Sequence, residues 1–134
     1  MIRDEREWGL FDYVDSRGIN VIREWIQGLE KPERARLNRK LDMLAQNGPD
    51  LSPGLLAGTK LRHIDKIRVT GRVTLRLLLC RGPIHHEGEF TLLFGAFERD
   101  RKLVPLDAEQ RANANRNEVI LNPLERRCEH ERVA

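Results

Sequence analysis

The sequence predicts a mixed α/β fold: an N-terminal strand and a helical hairpin packed on a small, mainly antiparallel twisted sheet, closed by a C-terminal helix. Three observations carry that expectation. Apolar residues recur with a helical period in the first third of the chain, the period falls to two from Lys60 onward, and a helix start signal follows Pro105. At 134 residues the chain has the length of one domain, expected to occupy residues 1–120, with 121–134 as a charged C-terminal tail. Hydrophobic residues at 40% and charged residues at 34% argue against a membrane protein, since no segment approaches the roughly 20 apolar residues of a bilayer span.

Leu10 to Val14 reads as a short strand ahead of the turn residues Asp15, Ser16 and Gly18. Ile22, Trp25, Ile26 and Leu29 then fall at i, i+3, i+4 and i+7 behind Asn20, a capping residue, which predicts one amphipathic helix over 21–29. Gly28 and Pro32 break it. Pro32 suits the first turn of a second helix running to about Gln46, with Leu37, Leu41 and Leu44 as its buried stripe and Arg34, Arg36, Arg39 and Lys40 largely elsewhere. Asn47, Gly48, Pro49 and the Ser52-Pro53-Gly54 cluster end the hairpin.

In the sheet, Ile67 and Val69 oppose Lys66, Arg68 and Thr70, and Val73, Leu75, Leu77 and Leu79 oppose Thr74 and Arg76. Thr70-Gly71-Arg72 is the expected turn between the two strands. A three-residue turn sets Lys66 opposite Arg76, and a slip of two residues sets Arg68 there instead. Either register leaves Lys66, Arg68 and Arg76 on one face. Glu89 to Phe97 is apolar on both faces, as a central strand covered on both sides is. Asp107 and Gln110 are spaced as a capping box for a last helix whose apolar face is Ala108, Ala112 and Val119. Arg126 to Ala134 is nearly all charged and is expected to fray or to dock onto a partner.

The formal net charge of +3 is unevenly spread. Between Gly58 and Gly82 stand Lys60, Arg62, Lys66, Arg68, Arg72, Arg76 and Arg81 against a single acid, Asp65. Such a stripe is the electrostatic footprint of a face that binds a polyanion, with a solvated sheet face as the plainer alternative. Like charges opposed across a sheet cost roughly 0.2–1 kcal/mol, so an anion is expected over them. Phe97-Glu98-Arg99-Asp100-Arg101-Lys102 brings one more carboxylate and three more cations toward that sheet's end. Arg68 and Arg76 therefore have two readings, as phosphate ligands or as partners of a carboxylate such as Glu98. Glu98 is correspondingly a base or a counter-ion. His63 reads more simply as a strand-edge histidine. His85-His86-Glu87-Gly88-Glu89 invites a metal reading, but adjacent histidines in a Gly-Pro-bounded loop do not aim at one ion. Cys80 and Cys128 fit no zinc spacing and read as free thiols.

The order of these features resembles the RelE/ParE toxin superfamily, in particular its HigB-like, phage-derived branch. The resemblance covers about Leu10 to Val119. It rests on two helices after a first strand, Lys60-Leu61-Arg62, Ile67-Arg68, Leu75-Arg76-Leu77-Leu78, Leu92-Leu93-Phe94-Gly95-Ala96-Phe97 leading into a charged cluster, then Pro105 and a last helix with Arg116. It implies a RelE-like fold and a type II toxin that cuts messenger RNA, usually in the ribosomal A site, restrained by a cognate antitoxin from the adjacent gene. It also implies a catalytic set of Arg68, Arg76, Lys66, Glu98 and Lys102, in which Arg68 and Arg76 contact the scissile phosphate region. The implied RNA-binding set is Lys60, Arg62, His63, Arg72, Arg99 and Arg101. Two departures stand out. Leu75 occupies the place of a tyrosine that some members use as acid or base, and Glu98-Arg99-Asp100 replaces a lysine pair.

RNA cleavage by its own 2′-hydroxyl needs a base, cations around the phosphorus oxygens and an acid for the leaving 5′-oxygen. Clustered arginines meet the second need as bidentate donors. A lysine crowded by arginines meets the first, with Glu98 or His63 as the more ordinary candidate. No metal and no small-molecule cofactor is expected; the expected partners are the ribosome, mRNA and the antitoxin, with no membrane, and the charged start MIRDEREW, unlike a signal peptide, implies a cytoplasmic address. Two rival readings share the basic face: a ParE-like toxin that inhibits DNA gyrase by binding, and a nucleic-acid-binding module without catalysis.

Overall fold

The computed structural model describes residues 7–134. In chain order its elements are strand β1 (Gly9–Tyr13), helices α1 (Val21–Gln27) and α2 (Lys31–Asn47), strands β2 (Leu56–Gly58), β3 (Asp65–Val69), β4 (Thr74–Arg81), β5 (Glu89–Arg99) and β6 (Lys102–Val104), helices α3 (Ala108–Leu121) and α4 (Pro123–Arg126), and strand β7 (Arg127–Glu129). Among the described residues the seven strands make one sheet in the order β2-β3-β4-β5-β1-β7, with β6 paired to the end of β5. Only β1 and β5 run parallel; the other ladders are antiparallel. The mixed α/β class and the mainly antiparallel sheet agree with the sequence expectation.

Each helix bears its sequence logic. Asn20 caps α1, its side chain accepting a bond from the Arg23 amide at 2.8 Å. Pro32 sits in the first turn of α2, and Gly48, at φ 58°, ends that helix. The capping box expected on α3 does not form. Asp107 makes no side-chain cap bond, and its carboxylate instead accepts from Arg111 Nε at 3.1 Å, one turn along the helix.

Helices cover both sheet faces, giving two cores. On one face Ile22 and Ile26 of α1 and Leu37, Leu41 and Leu44 of α2 pack on Ile67, Val69, Leu75, Leu77 and Leu79. On the other, Ala108, Ala112 and Val119 of α3 meet Leu78, Cys80, Leu93 and Ala96. The central strand β5 is thus covered on both sides. Its one glycine on the hairpin side lets α1 approach: a Cβ on Gly95 would lie 2.0 Å from Trp25 Cδ2.

The C-terminal segment is the main correction. Arg126 to Ala134 does not fray: Arg127–Glu129 adds to β1 as an antiparallel strand, and Val133 enters the hairpin core. One ion pair and one histidine–carboxylate contact fasten it. Arg127 Nη1 donates to Glu89 Oε2 at 2.6 Å, with side chains 11% and 5% exposed, while its guanidinium lies 3.9 Å from the Phe11 ring centroid. His130 Nδ1 stands 2.8 Å from Asp12 Oδ1, and Asp12 also accepts a bond from Asn20 Nδ2 at 2.9 Å. Both cysteines are free, Cys80 buried and Cys128 exposed.

Two stability outcomes are expected in urea unfolding. Gly95→Ala should cost about 3 kcal/mol through overpacking, and Trp25→Leu in the same chain should recover part of it, because the two sites touch. Arg127→Ala should cost about 3–5 kcal/mol by stranding the Glu89 carboxylate; a loss below about 1 kcal/mol would show that solvent already screens the pair.

Candidate active site

The hairpin register decides the site. Arg68 pairs directly with Arg76 and Val69 with Leu75, the slipped alternative of the two that the sequence allowed. Alternation then gives Lys66, Arg68 and Arg76 one face, with Arg76 beside the small, buried Ala96 of β5. Two residues along β5 on that face is Glu98.

Glu98 bridges both arginines. Its Oε2 accepts from Arg68 Nε at 2.7 Å and from Arg76 Nη2 at 2.9 Å, while Oε1 accepts from Arg68 Nη2 at 3.3 Å. Arg76 and Glu98 are anchored, with side chains 12% and 11% exposed, whereas Arg68 is 50% exposed. Among the described residues the buried Nε of Arg76 has no hydrogen-bond partner. The hydrogen bond from Arg68, followed by that from Arg76, holds the Glu98 carboxyl below its ordinary range against the opposing effect of burial. A carboxylate so stabilised stays ionised and is a weak base.

The other expected residues spread along the sheet. Lys60, Arg62 and His63 occupy the loop before β3, which Thr59 organises by donating from Oγ1 to the Ile64 carbonyl at 2.8 Å and accepting from the Leu61 amide at 3.1 Å. His63 is not on a strand edge but in this turn, at φ 71°. Partial desolvation, then Arg116 and Arg62, hold its pKa below the usual value. Three residues of β3 separate this loop's end from Arg68, about 13 Å of extended chain, with Lys66 between them. Arg72 lies at the far end, in the β3–β4 turn. Asp100 and Arg101, both left-handed at φ 52° and 66°, make the two-residue turn between β5 and β6. The register sets Lys102 opposite Arg99, so alternation places it on the other side of the sheet from Glu98. Lys102 therefore stays outside the arginine cluster.

Sequence reasoning missed one contribution. Arg36, Arg39 and Lys40 of α2 line a cavity of about 250 Å³ together with Arg68, Val69 and Thr70 of the β3 end. Their i, i+3, i+4 spacing was the available signal. Tyr13, the chain's one tyrosine, lies elsewhere, donating from its hydroxyl to Glu118 Oε1 at 2.8 Å with its pKa pushed up, first by burial and then by that bond. Leu75 points into the hairpin core. Among the described residues no three His, Cys, Asp or Glu side chains gather as metal ligands would, the His85-His86 loop included. No protein-family model matches the chain, and no curated protein matches it.

The arrangement can hold one tetrahedral anion. Two guanidinium groups converge on a single carboxylate oxygen, as fork donors do on phosphate. Because the Glu98 pKa is depressed in the folded state, its stabilising contribution is complete above the ordinary value of 4.5 and is lost as pH falls below that. Thermal unfolding of the native protein should accordingly weaken through that acid window, and Glu98→Gln should flatten the dependence there. An unchanged acid limb in Glu98→Gln would show that the bridge contributes nothing to stability.

Proposed function

We propose that this chain is a RelE-like toxin of the RelE/ParE superfamily, HigB-like branch: an endoribonuclease that cuts mRNA on the ribosome and is held in check by an antitoxin. The observation that carries the reading is the meeting of Arg68 and Arg76 on one oxygen of Glu98, 2.7 and 2.9 Å away. In this reading the carboxylate stands where a substrate phosphate binds. The element order, a strand and helical hairpin ahead of an antiparallel array and a final helix, supports the RelE-like fold.

In the proposed reaction the 2′-oxygen attacks the adjacent phosphorus, the bond to the 5′-oxygen breaks, and a cyclic phosphate forms. Arg68 and Arg76 take up the charge gathering on the phosphorus oxygens. Glu98 aligns the two guanidinium groups and yields one coordination position to the phosphate. In this reading the neutral amine form of Lys66, a side chain half-buried on the same face, takes the 2′-proton, and a water molecule gives a proton to the leaving 5′-oxygen. Cations of the Lys60–His63 loop, α2 and the β3–β4 turn extend the basic surface along the RNA, which supports a polyanionic partner. The one tyrosine, Tyr13, gives its hydroxyl to Glu118 rather than to the Arg68–Arg76 cluster, which favours one rival, a toxin that binds DNA gyrase without cutting RNA. Mapping mRNA 5′ ends after induction separates the two: cuts within translated frames support the nuclease, and double-strand DNA breaks with intact messages support the gyrase binder.

Arg76→Ala should lower ribosome-dependent cleavage about 10²- to 10³-fold, the effect of removing one preorganised oxyanion donor, while ribosome binding, spread over many cations, changes little. Arg76→Lys should restore only part of the rate, since a point charge cannot make the bidentate contact. Full activity in folded Arg76→Ala would remove the site assignment.

A further inference from the structure

The exposed apolar side chains of this protein are concentrated around one helix. Among the described residues, five of the seven large apolar side chains left exposed are Val104, Leu106, Ile120, Leu121 and Leu124, and the three most exposed are Leu106 at 76%, Leu121 at 84% and Leu124 at 93%. All five stand in α3 or in the segments that enter and leave it. Apolar groups scattered singly over a surface need no explanation, whereas a concentration of them marks an interaction site. We infer that the outer face of α3 is a self-association surface, on which a second copy of this chain lays its own α3 antiparallel about a two-fold axis; the inference is independent of the nuclease reading.

Helix geometry defines that face. Ala108, Ala112 and Val119 are buried against the sheet. Gln110, Ala114, Asn117 and Leu121, at i, i+4, i+7 and i+11, lie on the opposite side, and all four are exposed. None of them is charged, in a chain with 34% charged residues. Depletion of charge is what separates the centre of an interface from ordinary surface. The two amides do not argue against it, since a polar side chain in a helical seam fixes register at some cost in stability.

Two features select a second copy as the occupant. First, the apolar groups lie at the two ends of α3, about 20 Å apart along a helix of 14 residues. Ala114 stands between them, eight residues from Leu106 and seven from Leu121. A reversed copy of the same helix carries the same spacing, so Leu106 of each chain meets the Leu121–Leu124 end of the other and the backbones cross at a small side chain. Second, one flank of the stripe carries Arg111 and Glu118, two turns apart, with side chains 56% and 44% exposed. An antiparallel two-fold pair sets this flank of each helix against the same flank of the other, so Arg111 of one copy meets Glu118 of the second, and the reverse. Asp107 already accepts from Arg111, and Tyr13 donates to Glu118 within each chain, so neither charge is left alone as the copies meet. A parallel pair would set the same flank against Asn113 and Ile120 and gain no charge pair.

A single helix face is at the small end of protein interfaces, and a weak dimer is expected. Sedimentation equilibrium of the full chain, between about 1 μM and about 1 mM, tests it. The mass should rise from the monomer's 15.6 kDa toward twice that value. Leu121→Glu, and separately Ala114→Arg, should each raise the dissociation constant at least about 10-fold, the loss of one central contact. Both positions are exposed, so far-ultraviolet circular dichroism should not change. Lys31→Glu, on α2, should leave the dimer as it was. Arg111→Glu, which opposes two acids in the antiparallel arrangement, should weaken it about 3-fold. A monomer at every concentration overturns the inference, as does a dimer that Leu121→Glu and Ala114→Arg leave intact. A dimer that those two changes weaken and Arg111→Glu does not overturns the antiparallel arrangement. If the chain stays monomeric while Leu121→Glu releases a protein co-expressed from the adjacent gene, the face belongs to that partner and the assignment to a second copy is overturned.

Discussion

Two guanidinium groups directly opposed across an antiparallel ladder repel each other, and the architecture around Arg68 and Arg76 follows from how that repulsion is relieved. The remedy is Glu98, brought in from the neighbouring strand β5. It reaches both arginines only because Arg76 faces Ala96, whose methyl group leaves room for the guanidinium to turn along the sheet. The position of Glu98 depends in turn on β5 being long, central and clamped from both sides by separate cores. The cluster is therefore held by a central strand covered on both faces, although its chemistry is at the surface. This agrees with the general requirement that a site be built on rigid elements.

Glu98 also sets the electrostatic character of that face. A patch of bare arginines would bind any polyanion, whereas here an internal carboxylate competes for the same donors. A ligand must present an anion with geometry at least as good as the carboxylate it displaces. That favours phosphate held in a fixed orientation over loosely tethered phosphate, and it fits a substrate whose geometry is imposed from outside by the ribosome in the proposed reading.

Much of the fold was legible because it depends on local periodicity. The α1 and α2 stripes, the alternation around Ile67 and Leu75 and the doubly apolar run of β5 are each set by which faces are buried, and burial leaves a period in the sequence. What depends on pairing between distant segments was not legible. Thr70-Gly71-Arg72 is compatible with more than one turn, so it left the choice between two registers open, and the Arg68–Glu98 contact joins residues 30 positions apart. The strand Arg127–Glu129 was hidden for a related reason: its stabilisation comes from Glu89 and from the backbone of β1, neither of which marks the tail's own sequence. At Asp107 the motif was present but misleading, since Arg111 offered the carboxylate a charged donor in place of the backbone amide. Within the site the arginines were visible as chemistry, and the left-handed turn that separates Lys102 from them was not.

The parallel pairing of β1 with β5 has a temporal meaning. The first strand of the chain must wait for a partner about 80 residues downstream, Gly9 meeting Glu89, and its other edge waits longer still for Arg127 to Glu129. Closing so long a segment slows the search for native contacts, and during synthesis it forbids completion of the sheet until nearly all of the polypeptide has emerged. The β3–β4 hairpin, by contrast, can form early from neighbouring residues. Only until β5 joins β4 are the two arginines paired in register without their carboxylate, so the growing chain carries two uncompensated cations on a bare hairpin for the time it takes to add one more strand.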